Sequence, residues 1–262
     1  MNADSAVIAH WNEMGRTKRW SSLYTDKVDT RNVHVVTRKI RTLEMLRAVS
    51  TGKLLDIGCG PGVLVEEVLN MGFDYLGMDL AEEMLSEGRA RWGENQRIAF
   101  RTGDIEHIPA EADSFQAVIC LGVIEYVSDL VAAIRELKRV LKLGGVAIIS
   151  NHNKIHIDNL VITALTPLLW IVLPVVRRLR TARPDNLRRL LMQPSQLDTL
   201  MAEAGFLLDD FALYHFTPLP YPFTVLAPRL THAVNFCFEN CYHRRRMRFL
   251  AHGYIGKYRK HC

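Results

Sequence analysis

Cysteine is too scarce and too unevenly placed here to form a disulfide framework. The five residues, Cys59, Cys120, Cys237, Cys241 and Cys262, make an odd set without regular spacing, which suits a reducing compartment. No secretory leader is expected either. Met1-Asn2-Ala3-Asp4-Ser5 places an acid where a signal peptide needs basic residues, and no adequate apolar run follows. There is no internal repeat and no low-complexity stretch, which excludes solenoids and disordered tails. The longest uncharged apolar run, Leu160 to Val176, has seventeen residues and is broken by Pro167 and Pro174. As a helix it would rise about 26 Å, short of the ~30 Å hydrocarbon core. We therefore expect a buried cap element or an interfacial segment, with Arg177, Arg178 and Arg180 at its edge facing anionic headgroups. The expected location is cytoplasmic, with peripheral contact to an anionic membrane.

What is present is a core. Hydrophobic residues make up 48% of the 262 and charged residues 23%, enough for one elaborated α/β domain. The net charge of +5 is unevenly spread: residues 1–150 carry 18 basic against 21 acidic side chains, and residues 151–262 carry 15 against 7. A basic second half implies an anionic partner, whether nucleic acid, lipid headgroup or acidic substrate.

Along the chain, Val33, Val36, Ile40, Leu43 and Leu46 recur at helical spacing, predicting a helix within 31–50 with those residues on its buried face. Strands are expected at 53–57, 75–78, 98–101, 115–120 and 146–150. Helices fall between them at 63–71, 82–91 and 130–141. Such alternation implies a doubly wound, mostly parallel sheet with helices on both faces. Later, Ser195 reads as the N-cap of a helix that Gly205 closes, and residues 206–216 and 248–260 read as returning strands. The expected division is an N-terminal helical lid over 1–50, a catalytic domain over 51–153 and 195–262, and cap insertions over 154–194 and 217–247.

Chemistry concentrates at strand ends. Leu54-Leu55-Asp56-Ile57-Gly58-Cys59-Gly60-Pro61-Gly62 is an apolar strand running into alternating glycines and then a helix. Backbone without Cβ atoms at the carboxyl end of a parallel strand lets a ligand touch the main chain. The second strand ends at Asp79-Leu80, seventeen residues beyond Gly62, where a carboxylate can accept from both hydroxyls of a ribose. The third ends at Gly103-Asp104-Ile105, offering an acceptor for an adenine amino group and an apolar face for its ring. A glycine triplet alone also fits a dinucleotide pyrophosphate, which keeps an NAD-dependent reductase as the alternative.

In their order, these segments resemble class I S-adenosylmethionine-dependent methyltransferases of the methyltransferase domain 11 type. The resemblance spans about residues 50–150, from Asp56-Ile57-Gly58-Cys59-Gly60 through Gly77-Met78-Asp79 and Gly103-Asp104-Ile105 to Cys120-Leu121-Gly122-Val123-Ile124-Glu125-Tyr126. It implies a Rossmann-like seven-stranded sheet whose last strand is antiparallel, plus a helical cap, and S-adenosyl-L-methionine as cofactor. Gly58 and Gly60, with the neighbouring Asp56, Cys59 and Gly62, would cradle the methionine moiety. Asp79 with Leu80 would hold the ribose, Asp104 with Ile105 the adenine, and Leu121 would flank the methyl donor. Tyr24, in Arg19-Trp20-Ser21-Ser22-Leu23-Tyr24, would fold over the cofactor, and that segment is loosely similar to magnesium-protoporphyrin methyltransferases.

Methyl transfer needs alignment and exclusion of water, and a base only where the acceptor carries a proton. His152, after the fifth strand, is the first choice, with Glu125 and Tyr126 after the fourth. The Asn/Asp-Pro-Pro-aromatic signature of amine-directed enzymes is absent, and the basic residues are interleaved with Leu, Val and Pro rather than with stacking aromatics. Both features argue against nucleic acid, with RNA kept as an alternative. The expected partner is a lipophilic small-molecule acceptor, a quinone, isoprenoid, porphyrin or lipid-linked compound, methylated at oxygen or carbon. No metal is expected, since His232, Cys237, Cys241 and His243 match no common zinc spacing. Nothing specifies an oligomeric state.

Overall fold

The structure, a computed structural model, describes residues 3–24, 32–157, 189–217 and 227–261. The 160–176 run, Arg177, Arg178 and Arg180 lie outside the described residues, as does the greater part of the first expected cap insertion. Among the described residues, no helix is long and apolar enough to cross a membrane.

The chain opens with helices α1 (Ala3–Arg16) and α2 (Val33–Leu46), separated by a 3-10 turn at Ser21–Leu23. Alternation then follows: β1 (Lys53–Ile57), α3 (Val65–Asn70), β2 (Asp74–Asp79), α4 (Glu82–Trp92), β3 (Ile98–Thr102), β4 (Phe115–Leu121), α5 (Leu130–Val140) and β5 (Leu141–His152). After the first insertion come α6 (Pro194–Glu203), β6 (Phe206–Phe216), α7 (Pro228–Phe238) and β7 (Ala251–Lys260). The seven strands lie in the order β3-β2-β1-β4-β5-β7-β6. Pairings from β3 to β5 are parallel, whereas β7 runs antiparallel to both β5 and β6. The expected doubly wound α/β sheet is present, and its reversed strand sits inside the sheet.

Alternate residues along the central strands feed two apolar layers. Leu55, Ile57, Val118, Cys120, Ala147 and Ile149 face one. Leu54, Ala117, Ile119, Val146 and Ile148 face the other. Such strands read as continuous apolar runs because neither face meets water.

Two local expectations are corrected. Helix α2 buries only part of the predicted stripe: Val33 and Leu46 are buried and Leu43 packs on the core, but Ile40 is 45% exposed, while Val35, Arg38, Thr42 and Met45 turn inward. The buried face carries a charge because it abuts the strand ends, and the Thr42 hydroxyl turns back to donate to the Arg38 carbonyl at 2.9 Å. Helix α6 starts earlier than expected. Pro194 occupies its first turn, where a fixed φ and a missing N–H cost nothing, so the capping box joins Gln193 and Gln196 rather than using Ser195. Helix α1, within the expected helical lid, docks on α4. Asn12 Oδ1 accepts the Glu83 N–H at 3.1 Å, covering an end that has no side-chain cap of its own.

Asp56 is buried at the β1–β2 joint, where Oδ2 accepts the Tyr75 hydroxyl at 2.7 Å. Burial pushes its carboxyl up to about 7, helped by the Asp79 charge and opposed by the Tyr75 hydroxyl and Arg38. The folded value lies above the ordinary 3.8, so the folded chain binds this proton more tightly than the unfolded one. Its contribution is fully present below about pH 4 and is lost as pH rises toward about 7. Asp56→Asn keeps an acceptor for Tyr75 and abolishes the titration. Thermal melts of the wild type should therefore fall relative to the variant across that window; parallel curves would mean that Asp56 ionises normally.

Candidate active site

The carboxyl ends of β1, β2, β3, β4 and β5 surround one cavity of about 200 Å³, closed on one side by α1 and α2. From β1, Gly58 and Gly60 form part of its wall, with φ of 68° and 53°. These are left-handed conformations that a side chain resists. A Cβ on Gly58 would stand 2.2 Å from a Val123 methyl carbon, and one on Gly60 would stand 3.4 Å from the Trp20 ring. The loop thus brings bare backbone up to the space.

Asp79 closes the next strand. Its Oδ2 accepts the Gly60 N–H and its Oδ1 the Ala81 N–H, both at 2.9 Å, fastening the glycine loop to β2. Burial raises this carboxyl above the usual range, against the pull of the Ala81, Gly60 and Leu80 amides. A carboxylate has about four acceptor positions, so acceptor capacity remains for a ligand in the cavity. Leu80 lines the cavity beside it. At the end of β3, Asp104 and Ile105 line the same space, and Asp104 Oδ1 accepts the Glu106 N–H at 2.9 Å in a tight turn.

Beyond β4, Leu121, Glu125 and Tyr126 reach the cavity, and His152 reaches it from β5. Glu125 is 1% exposed, and its Oε1 lies 2.5 Å from His152 Nδ1 while also accepting the His152 backbone N–H at 3.2 Å. Burial pulls the Glu125 carboxyl upward, but the His152, Arg189 and Arg38 charges overcome it and hold it below the usual range. An ionised carboxylate only accepts, so in neutral His152 the hydrogen sits on Nδ1 and Nε2 is bare. The sequence placed these two residues in the site separately; the structure joins them as a pair. Tyr126 is a wall residue, with Trp11 edge-on at 6.3 Å and the Arg189 guanidinium 5.6 Å from its ring centre.

Four expected site residues do not line the cavity. Asp56 serves the β1–β2 joint. Cys59 is buried in an apolar layer, where burial holds its thiol well above the usual value. Gly62 faces inward, and a Cβ there would stand 2.9 Å from both Phe100 and Val65. Tyr24 lies behind the cavity beside Arg38, its ring 5.8 Å from Trp20. Burial, the first cause, raises its hydroxyl, opposed by Arg38.

Sequence reasoning missed several wall residues. Val7 and Trp11 come from α1, and His34 and Arg38 from α2. Arg38 is 6% exposed, with an Nη 2.7 Å from where a Gly122 Cβ would be. A Val7–Trp11 spacing of one helical turn was the available signal for α1; no local pattern marks Arg38. Among the described residues no group of three His, Cys, Asp or Glu could hold a metal.

This sheet order, with the glycine loop and the two acidic strand ends, defines the class I S-adenosylmethionine-dependent methyltransferase fold. The profile described as a methyltransferase domain matches residues 55–149. A ubiquinone biosynthesis O-methyltransferase from Psychrobacter arcticus is 30% identical over 185 residues, covering 68% of this chain and 67% of that protein. Its namesake from Hydrogenovibrio crunogenus is 23% identical over 221 residues, covering 83% and 86%. Magnesium protoporphyrin IX methyltransferase from Synechocystis PCC 6803, crystallised with bound SAH, superposes with a TM-score of 0.64 at 17% identity, covering 98% and 99%. The chain belongs to the methyltransferase domain family and is an S-adenosylmethionine-dependent enzyme. The site fits that cofactor: bare backbone at Gly58 and Gly60, unused acceptor positions on Asp79, and an acid with an apolar neighbour at 104–105.

Because Trp11 and Trp20 line the cavity and touch edge-on at 5.1 Å, S-adenosylhomocysteine should change the tryptophan fluorescence on binding. Replacing both by Phe should abolish most of that change while binding persists by calorimetry. An unaltered signal in the double variant would place the ligand elsewhere.

Proposed function

We propose that the enzyme methylates a hydroxyl oxygen of a lipophilic small molecule, with His152 as general base and Glu125 orienting it. The observation that carries this reading is the Glu125–His152 pair at the cavity wall. When bound, S-adenosylmethionine supplies a methyl group on a positively charged sulfur, which departs as a neutral thioether. Gly58 and Gly60 would offer backbone to its methionine part, Asp79 and Leu80 would hold its ribose, Asp104 and Ile105 its adenine, and Leu121 would flank the methyl donor. Arg38 supplies a fixed positive charge for a carboxylate.

The chain's own residues then have a short task. Glu125 accepts from Nδ1 and stabilises the imidazolium that forms when Nε2 takes the acceptor's proton. Trp11, Trp20, Val35 and Val127 make the walls apolar and exclude water, which strengthens every charge interaction inside. Apolar walls beside a base favour a greasy alcohol, phenol or quinol; the ubiquinone and porphyrin enzymes among the similar proteins accord with that class. A carbon acid would use the same base.

In this reading residues 1–50 act as a lid, with α1 and the Ser21–Leu23 turn forming one side of the chamber. Residues 51–153 and 195–262 form the catalytic domain, and 154–194 and 217–247 form a cap. Membrane contact is part of the proposal: Arg246, Arg248 and the 44% exposed Phe249 share one open surface depression. Such a basic and aromatic edge suits anionic headgroups.

Labelled S-adenosylmethionine, assayed against quinols and lipid extracts, tests the reading. His152→Ala and Glu125→Gln should each lower kcat by roughly a hundredfold or more, while S-adenosylhomocysteine affinity stays nearly constant. Full activity in His152→Ala would remove the base. Asp79→Ala should instead weaken S-adenosylhomocysteine by roughly ten- to a hundredfold, and an unchanged Kd would remove the ribose assignment.

A further inference from the structure

Half of the chain's ten histidines crowd together at the acceptor side of the cavity, with His152 and His34 in its wall and the other three behind them. The ring of His152 meets that of His252 edge-on, centroids 4.9 Å apart. His252 in turn meets His156 at 5.4 Å and His215 at 5.3 Å, and His215 meets His34 at 6.0 Å. The string draws on β5, the turn after it, β7, β6 and α2, elements far apart in sequence. It is anchored at its inner end: His156 is 2% exposed, with Nε2 2.5 Å from the Thr217 hydroxyl. His215 adopts a left-handed backbone, φ 55°, which a non-glycine residue keeps only where its surroundings over-determine it.

We propose that this stack is a proton barrier: His252, braced by His156, Thr217 and His215, is a positioning residue that holds the His152 ring toward the cavity and denies its proton an inward path. The proposal rests on His152 being the base, but its test does not use turnover.

Five imidazoles in contact, branching at His252, could instead relay protons, and the surroundings decide between the two. The carboxylate in contact with the string, Glu125, touches only its outermost ring. Arg38 and Arg189 face His34, while Tyr214 and Tyr254 stand on the neighbouring strands. After burial, the groups acting most strongly on His34, His215 and His252 are Arg38, Arg189 and the other imidazoles, each of which repels a proton when it is itself charged. Burial, first, and these repulsions, second, push His34 down to about 4, His215 down to about 3 and His252 well below the usual value. Nδ1 of both His215 and His252 lacks a hydrogen-bond partner among the described residues, so nothing there steadies a second cation. A hydroxyl acceptor releases one proton for each methyl it gains. That proton passes to His152 Nε2 and returns to water through the cavity when the product leaves.

Full-length enzyme carrying ¹⁵N-labelled histidine and saturated with S-adenosylhomocysteine gives the test, by long-range proton–nitrogen spectra assigned with single His→Gln variants. His34, His215 and His252 should show neutral rings at every pH from about 5.5 to 8.5. His152→Phe should move the titrations of His215 and His252 upward, since a positive neighbour is gone. His252→Phe, which keeps the ring and removes its nitrogens, should preserve the single Nδ1–H tautomer of His152. His252→Asn, which removes the ring, should mix the tautomers, with thermal melts verifying that both variants fold. A charged His215 or His252 above about pH 6, or a Phe variant as disturbed as the Asn variant, would overturn the barrier and favour a relay. Loss of turnover in His152→Ala tests the base separately, so the two readings fail independently.

Discussion

A guanidinium that can neither lose its charge nor reach bulk water is the constraint around which this site is arranged. Arg38 is buried on α2, and burying a bare cation costs several kcal/mol unless partners answer it. The partners come from everywhere the site needs to be joined: Tyr24 from the N-terminal segment, Glu125 from the loop after β4, Tyr214 from β6 and, at longer range, Asp56 from β1. Gly122 has no Cβ where the guanidinium passes. One charge therefore ties helix α2, the cofactor loop and the base's carboxylate into a single electrostatic unit. Removing it would leave Glu125 buried beside its histidine with less to keep it ionised.

Sheet topology decides which residues meet that unit. Parallel pairing from β3 to β5 sends every loop after a strand to one edge, so Gly58, Asp79, Asp104, Glu125 and His152 converge although they span nearly a hundred positions. The order β3-β2-β1-β4-β5 also separates two tasks across the cavity. Strands β1 to β3 present backbone and carboxylates suited to an adenosyl group. Strands β4 and β5 present the Glu125–His152 pair, proposed here as orienting acid and base. Because β7 is antiparallel, its beginning rather than its end lies at this edge, which is how His252 arrives behind His152.

That division was largely legible in the sequence. Apolar runs, glycine stops and alternation place the five parallel strands within a few residues, except that β5 begins earlier; they also identify the loops that carry the chemistry. What strand ends cannot reveal is direction. Side chains alternate along β1, so Asp56 falls on the face of Leu54 and turns to Tyr75 instead of the cavity. Nor does local pattern report pairing across distance. Glu125 and His152 meet because β4 and β5 lie side by side, and Arg38 looks like a surface residue until the strand ends beneath α2 are known. Helix α1 falls within the expected helical lid, but its docking was not legible for a related reason: its support comes from α4, through Asn12 and the close passage of Gly15 at Met84.

The balance of charge around His152 explains why so little machinery suffices. Arg38 and Arg189 both act on Glu125 and help to hold its carboxyl below the usual range, so the acid beside His152 stays ionised in a largely apolar chamber. In the proposed reaction S-adenosylmethionine would supply a positive charge on sulfur, and His152, acting as base, would carry an equal charge beside Glu125 after the transfer. The chamber's total is unchanged across the transfer, and the protein dipoles need not reorganise to meet a new one. A base that passed its proton inward would break this equality, placing charge among rings that no carboxylate faces. Retaining the proton at the cavity wall keeps the account closed until product departs and water returns.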